Sequence, residues 1–143
     1  MAPTRVLVPF DGSPLADEAL DHAVETFDCR ITVLNVVTPL DAGMSEGGLL
    51  EVDDSRLDAA RLRAEQVVED ARRRAEASGR TVETAVETGD PTETVLEYVR
   101  EGDVDHVVMG SHGEDRHDVV RRLLGTVATK VVSEAPVSVT VVR

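Results

Sequence analysis

Short apolar runs recur along this chain with amphipathic stretches between them, and that alternation restricts its fold more than any other feature. The runs are Arg5–Phe10, Ile31–Val37, Thr81–Glu87, Asp105–Gly110 and Val137–Val142. Between them, apolar residues return at steps of three and four. Leu15, Ala19, Ala23 and Phe27, flanked by Leu20 and Val24, form one such stripe, and Leu57, Ala60, Ala64, Val67, Ala71 and Ala75 form another. Val95, Leu96 and Val99 make a third, and Val127, Ala128, Val131, Val132 and Ala135 a fourth. Strand-like runs alternating with helix-period stripes specify an α/β fold, a doubly wound five-stranded parallel sheet with right-handed crossovers. At 143 residues the chain reads as a single domain, residues 1–143. Aromatics are only 2% of it, so the core must be built from Val, Leu and Ala, which suits buried parallel strands.

Local signals mark the boundaries. The first run ends at Asp11-Gly12-Ser13-Pro14, where Ser13 can cap a helix, Pro14 fits its first position, and Asp17 and Glu18 favour its positive end. Asp90-Pro91-Thr92-Glu93 has capping-box spacing, Gly79 closes the long second helix, and Pro136 stops the last one. Arg72-Arg73-Arg74 complements the negative pole of that long helix. In the third run Val82, Thr84 and Val86 alternate with Glu83, Ala85 and Glu87, which predicts one wet face and an edge position. From Thr38 to Asp54 periodicity disappears and Pro39, Gly43, Gly47 and Gly48 mark a loop, of a length usually functional or mobile.

Two runs read as central strands end in polar turns, at Asp11 and at Gly110. Ligands of doubly wound sheets sit outside the carboxyl ends of the strands, where the strand order reverses. After Val107-Val108-Met109-Gly110-Ser111-His112-Gly113 come eleven residues and then Gly125-Thr126, opening the last helix. Bare backbone amides at such a turn and helix start favour a phosphate. Each residue also has a plainer reading. Asp11 can bond its own turn backbone, and two glycines can be only a tight turn. His112 and His117 with Asp115 and Asp118 match no established metal site and read as a solvated loop; Arg116, Arg121 and Arg122 read as partners of surface carboxylates. His22 and His106 read as structural, and the single Cys29 cannot form an internal disulfide.

These pieces together resemble the universal stress protein family. The resemblance rests on Val6-Leu7-Val8-Pro9-Phe10-Asp11-Gly12-Ser13, Leu34-Asn35-Val36-Val37, Gly89-Asp90-Pro91, Val108-Met109-Gly110-Ser111-His112-Gly113, Leu123-Leu124-Gly125-Thr126 and Ala135-Pro136-Val137. It implies an adenine nucleotide alpha-hydrolase-like fold with strand order 3-2-1-4-5. ATP-binding members carry Gly-x2-Gly-x9-Gly-Ser/Thr; here Gly110, Gly113 and Gly125-Thr126 fit it except that the middle gap is two residues longer, an excess within Glu114–Asp118. The resemblance implies that Asp11 contacts adenosine, the Val36 backbone meets the adenine edge and Pro9 lines the pocket. It places Met109 and Gly110 near the ribose, and Gly113, Gly125, Thr126 and Val127 at the phosphates, with a divalent ion such as Mg2+ bridging them.

The function expected is that of an ATP-binding stress-response or regulatory protein with little or no hydrolysis. A dimeric interaction module that binds no nucleotide and a slow ATPase are the alternatives; the P-loop pattern Gly-x4-Gly-Lys-Ser/Thr does not occur. Partners expected are an adenine nucleotide, a second copy of the chain through Val137–Val142, and a downstream protein. With 28 acidic against 15 basic residues and a net charge of −13, nucleic acid is not an expected partner. No apolar run approaches a membrane span, and the N-terminal residues lack a signal-peptide pattern, so a cytoplasmic location is expected. Only Lys130 among the basic residues is lysine, a composition that suits work in concentrated salt.

Overall fold

A computed structural model describes residues 2–39, 54–112 and 124–143. The elements in chain order are β1 (Arg5–Pro9), α1 (Pro14–Thr26), β2 (Arg30–Val37), α2 (Asp54–Ala77), β3 (Glu83–Thr88), α3 (Pro91–Glu101), β4 (His106–Gly110), α4 (Thr126–Glu134) and β5 (Ser138–Val142). Every strand pairing is parallel, and the order across the sheet is β3-β2-β1-β4-β5, as expected. Most of the loop read between Thr38 and Asp54 lies outside the described residues.

The core forms two apolar layers, one on each face of the sheet. Val6, Val8, Ile31, Val33 and Val108 face α1 and α2, meeting Ala19, Leu20, Ala23, Val68, Ala71 and Ala75. Leu7, Leu34, Val107 and Met109 face α3 and α4, meeting Val95, Val99, Ala128 and Val131. The three middle residues of both β1 and β4 are buried, so these strands carry the centre of the sheet. Each such side chain contributes roughly 1.5–3 kcal/mol of burial.

The start and stop signals act as read. Ser13 caps α1, its Oγ accepting from Ala16 N at 3.2 Å, with Pro14 in the first turn. Asp90 caps α3 by accepting from Glu93 N at 3.0 Å. Gly79 ends α2 at φ 80°, and the Arg80 amide reaches back to Ala75 O at 3.0 Å.

Several expectations need correction. The third strand lacks one wet face: Ala85 and Val86 are half-buried on opposite faces and the residues at both ends are exposed. It is an edge strand whose short middle alone is covered by helices on either side. In α2 the buried stripe runs through Val68, while Val67 is half-buried beside Gly12. In α4, Val132 is 44% exposed and lies off the apolar stripe. The arginine run in α2 does more than complement the helix pole. Arg72 pairs with Glu69 and Glu76, and Arg74 crosses to α1, donating to both carboxylate oxygens of Asp21 at 2.8 and 2.7 Å. Among the described residues no helix is long and apolar enough to cross a membrane.

Candidate functional site

β1 and β4 are neighbours, yet the chain leaves β1 toward β2 and β3 on one side before returning to β4 on the other. Their carboxyl ends therefore open a crevice at the point where the winding reverses. A cleft of about 360 Å³ sits there, within the roughly 300–1,000 Å³ span of small-molecule sites. Pro9, Phe10 and Asp11 line it from β1, and Leu34, Asn35 and Val36 from β2. Met109, Gly110 and His112 come from β4 and its end, Gly125, Thr126 and Val127 from the start of α4, and Pro91 and Val95 from α3.

The residues expected at a nucleotide site are thus brought together: Pro9, Asp11, Val36, Met109, Gly110, Gly125, Thr126 and Val127 all border the one cleft. Gly113 lies outside the described residues, as do His117, Asp115, Asp118 and the arginines at 116, 121 and 122.

Asp11 adopts the plainer role read for it. Its Oδ1 accepts from Ser13 N at 2.9 Å, fixing the turn in which Gly12 takes φ 82°. That bond uses one carboxylate oxygen and leaves the side chain at the rim of the cleft, so the turn role and a ligand role are compatible. Deeper on α1, burial raises the pKa of Asp17 although Arg74 opposes the shift.

The glycines serve close approach rather than positive φ. A Cβ on Gly110 would sit 3.0 Å from Leu15 Cβ and 3.2 Å from its carbonyl carbon, so β4 could not pass α1 as closely. Gly125 has φ −67°, which any residue adopts; a Cβ there would meet Ser111 O at 3.2 Å and His112 Cα at 3.3 Å. The Gly125 amide donates to Ser111 O at 2.6 Å, and Ser111 N donates to Val142 O at 2.8 Å. Helix α4 is thereby tied to the end of β4, and β4 to β5. Among the described residues no side chain caps α4, so beyond the Gly125 amide its first turn presents bare amides, with the Thr126 hydroxyl, where the cleft is. The partial positive charge of that helix end favours an anion there.

His112 departs from the solvated loop expected of it. It is half-buried against the cleft, its Nδ1 lies 3.2 Å from Ser111 Oγ, and its Nε2 is buried without a hydrogen-bond partner among the described residues. Ser111 itself is buried. Among the described residues no three His, Cys, Asp or Glu side chains converge on a point that could hold a metal ion. Sequence reasoning also passed over Asn35 and Pro91 as cleft residues. The signal for Asn35 was present, a polar side chain near the end of an apolar strand; Pro91 carried only a helix-start signal.

Comparison with known proteins gives consistent matches over almost the whole chain. A sequence model of the universal stress protein family matches residues 3–143. Universal stress protein MJ0531 of Methanocaldococcus jannaschii is 28% identical over 97% of this chain and 81% of its own length. The structure of universal stress protein UspA from Lactobacillus plantarum superposes with a TM-score of 0.82 at 27% identity, covering 100% of this chain and 99% of that one. Three more distant structures share the fold and hold nucleotides. A universal stress protein in complex with cAMP has TM-score 0.71 and 22% identity, over 100% and 99% of the chains. An Arabidopsis thaliana family member with AMP bound has TM-score 0.61 and 22% identity, over 98% and 91%. The Archaeoglobus fulgidus protein in complex with dAMP has TM-score 0.65 and 19% identity, over 100% and 98%.

Proposed function

This chain belongs to the universal stress protein family, and on that premise we propose that it binds an adenine nucleotide, ATP foremost, in the cleft at the carboxyl ends of β1 and β4. The observation that carries this reading is the uncapped start of α4 opening onto a cleft whose other wall holds Asp11 and the end of β2. Phosphates take the amides of Thr126 and Val127 and the Thr126 hydroxyl, together with Gly113, while Gly125, whose amide is already bound to Ser111 O, serves by the close backbone approach its missing side chain allows. The ribose lies by Met109 and Gly110, adenosine contacts Asp11 and Pro9, and the base reaches the backbone of Val36. The complexes of more distant family structures with cAMP, AMP and dAMP favour an adenine base. Mg2+ enters with the phosphates, which supply most of its ligands, rather than through a protein cage.

Occupancy of the cleft is the signal in this reading, with little or no hydrolysis. The chain acts in the cytoplasm as a stress-response regulator, and its copies pair through the free edge of β5. Calorimetric titration with ATP and with AMP tests the reading. Saturable heat, abolished by Gly125→Val, is expected; a flat titration with both nucleotides would leave the dimeric interaction module as the surviving function.

A further inference from the structure

Ser13 is 2% exposed, yet it borders the cleft from the start of α1. Its Oγ accepts from Ala16 N at 3.2 Å, and that bond caps the helix. A cap asks only for an acceptor, whereas a hydroxyl also carries one hydrogen to donate. Among the described residues nothing accepts that hydrogen. A donor kept this far from water without an acceptor is costly, and the cleft is the opening through which an acceptor reaches it.

The close approaches around β4 say which part of a ligand passes Ser13. Helices α1 and α4 cover opposite faces of the sheet, but their first turns close on the same strand end. A Cβ on Gly110 would meet Leu15 of α1 at 3.0 Å, while one on Gly125 would meet Ser111 and His112. Gly110 is part of the cleft wall, so a group resting on it lies beside the first turn of α1. Charge then decides what that group is. Asp11 borders the cleft two residues before Ser13, its Oδ1 bound to Ser13 N at 2.9 Å, and Asp17 follows in the first turn of α1. Those two acids repel a phosphate, which is drawn instead to α4, whose first turn holds no acidic residue. A sugar hydroxyl is neutral and both donates and accepts. A vicinal diol therefore matches an acceptor, the second oxygen of Asp11, set beside a donor, the hydroxyl of Ser13.

Resting on the adenine-nucleotide reading above, we propose that Ser13 reads the ribose, its hydroxyl donating to one oxygen of the 2′,3′-diol while Asp11 accepts from the other hydroxyl. The cap bond to Ala16 holds Oγ in place for this contact, and the two residues together set ribonucleotides above their deoxy counterparts.

The test titrates the parent protein, Ser13→Gly and Ser13→Thr with ATP, 2′-deoxy-ATP and 3′-deoxy-ATP. Glycine replaces a capping serine at little cost to the helix but removes the hydroxyl. The parent is expected to bind each deoxynucleotide about fivefold or more weakly than ATP, the loss of one hydrogen bond. Ser13→Gly should bind ATP about fivefold more weakly than the parent and lose its preference over one deoxynucleotide, the one lacking the oxygen that Ser13 meets. Its preference over the other should remain. Ser13→Thr keeps both cap and donor and should keep both preferences. A role in capping alone would weaken all three nucleotides alike and leave their ratios unchanged. A parent that treats either deoxynucleotide as the equal of ATP, or a Ser13→Gly that keeps both preferences in full, overturns the role of Ser13 and leaves the nucleotide reading standing. A parent that binds no ATP overturns both. The deoxynucleotide comparison on the parent needs no variant to fold.

Discussion

The amide of Gly125 donates to the carbonyl oxygen of Ser111 at 2.6 Å, so the first turn of α4 hangs directly from the end of β4. This contact leaves little room for a side chain at residue 125, since a Cβ would press on Ser111 O and on the Cα and Cβ of His112 at 3.2–3.3 Å, and these must yield by a few tenths of an ångström. Gly125→Ala must push α4 away from the strand, at a cost of about 1–3 kcal/mol. Because the same turn presents the anion-facing amides, nucleotide affinity should fall by about tenfold or more, the loss of roughly one good hydrogen bond to a charged group. Gly79→Ala is the control. At φ 80° it is strained by about 1–2 kcal/mol, but nothing lies within 4 Å of its Cβ. Calorimetry should find Gly79→Ala less stable with unchanged affinity, and Gly125→Ala defective in both.

Acid should weaken the fold in two separate windows. His106 lies against Phe27 with ring centroids 4.7 Å apart, and its Nε2 is 2.8 Å from Thr140 Oγ1. Burial holds its pKa below the ordinary 6.5; the charge of His22 adds to that shift and Asp105 opposes it. The unfolded chain therefore binds the proton first. The stability from neutral His106 is complete above 6.5 and is lost as pH falls through the folded value. Asp105 acts lower. Its carboxylate accepts from Thr4 N at 2.9 Å, Thr4 Oγ1 at 2.9 Å and Arg5 N at 3.2 Å, which lowers its pKa below 3.8. That contribution is present above 3.8 and is lost as pH falls through the lowered value. Melting temperatures across pH should show His106→Gln flattening the upper window, and Asp105→Asn flattening the lower one while widening the upper, because it removes the charge that opposes the His106 shift.

How much of this was legible in sequence follows from which signals are local. Ser13, Asp90 and Gly79 act within a few residues of themselves, so cap and stop were readable before any tertiary contact was known. The central strands were readable because burial on both faces leaves continuous apolar runs. Val132 and Val67 were misplaced because the helix period allows two adjacent residues to compete for one buried position, and only the packed sheet decides between them. Gly110 and Gly125 both border the cleft, and they are needed there for close approach to Leu15, Ser111 and His112, contacts that no local spacing encodes. Arg80 carried no signal at all. It donates to Val24 O, Phe27 O and Cys29 O at 2.6, 2.8 and 2.9 Å, closing the end of α1 from a residue more than fifty positions away.

The free edge of β5 should pair two copies of the chain. β5 ends the sheet, and none of its five residues is buried, in contrast to the fully buried middle of β4 beside it. Val139 and Val141 leave that edge apolar and no acidic residue interrupts it, which is the condition under which an edge strand adds to its own copy. Light scattering at working salt should give twice the chain mass. Val141→Lys should return it to the monomer without unfolding it, since the side chain is only half-buried. A parent that runs as a monomer would refute the pairing.

Salt should stabilise this protein, and the argument turns on which electrostatic effect is larger. Its described ion pairs, such as Arg30 with Glu83 at 3.4 Å and Arg74 with Asp21 at 2.7 Å, join largely exposed groups. Such pairs are worth about 0–1 kcal/mol each, and salt weakens them. Against them stands a net charge of −13 spread over a chain of 143 residues, whose self-repulsion salt also screens. The screening length falls from about 10 Å at 0.1 M to about 3 Å at 1 M, a length comparable to a paired contact. Raising salt therefore removes most of the repulsion while leaving the tightest pairs partly intact. Thermal unfolding midpoints should rise steadily from low to molar potassium chloride. Replacing several exposed carboxylates of α2, such as Asp58 and Glu65, by Gln or Asn should reduce that rise. Midpoints that stay flat or fall with salt would show that the ion pairs, not the net charge, dominate, and would remove the case for a protein built to work in concentrated salt.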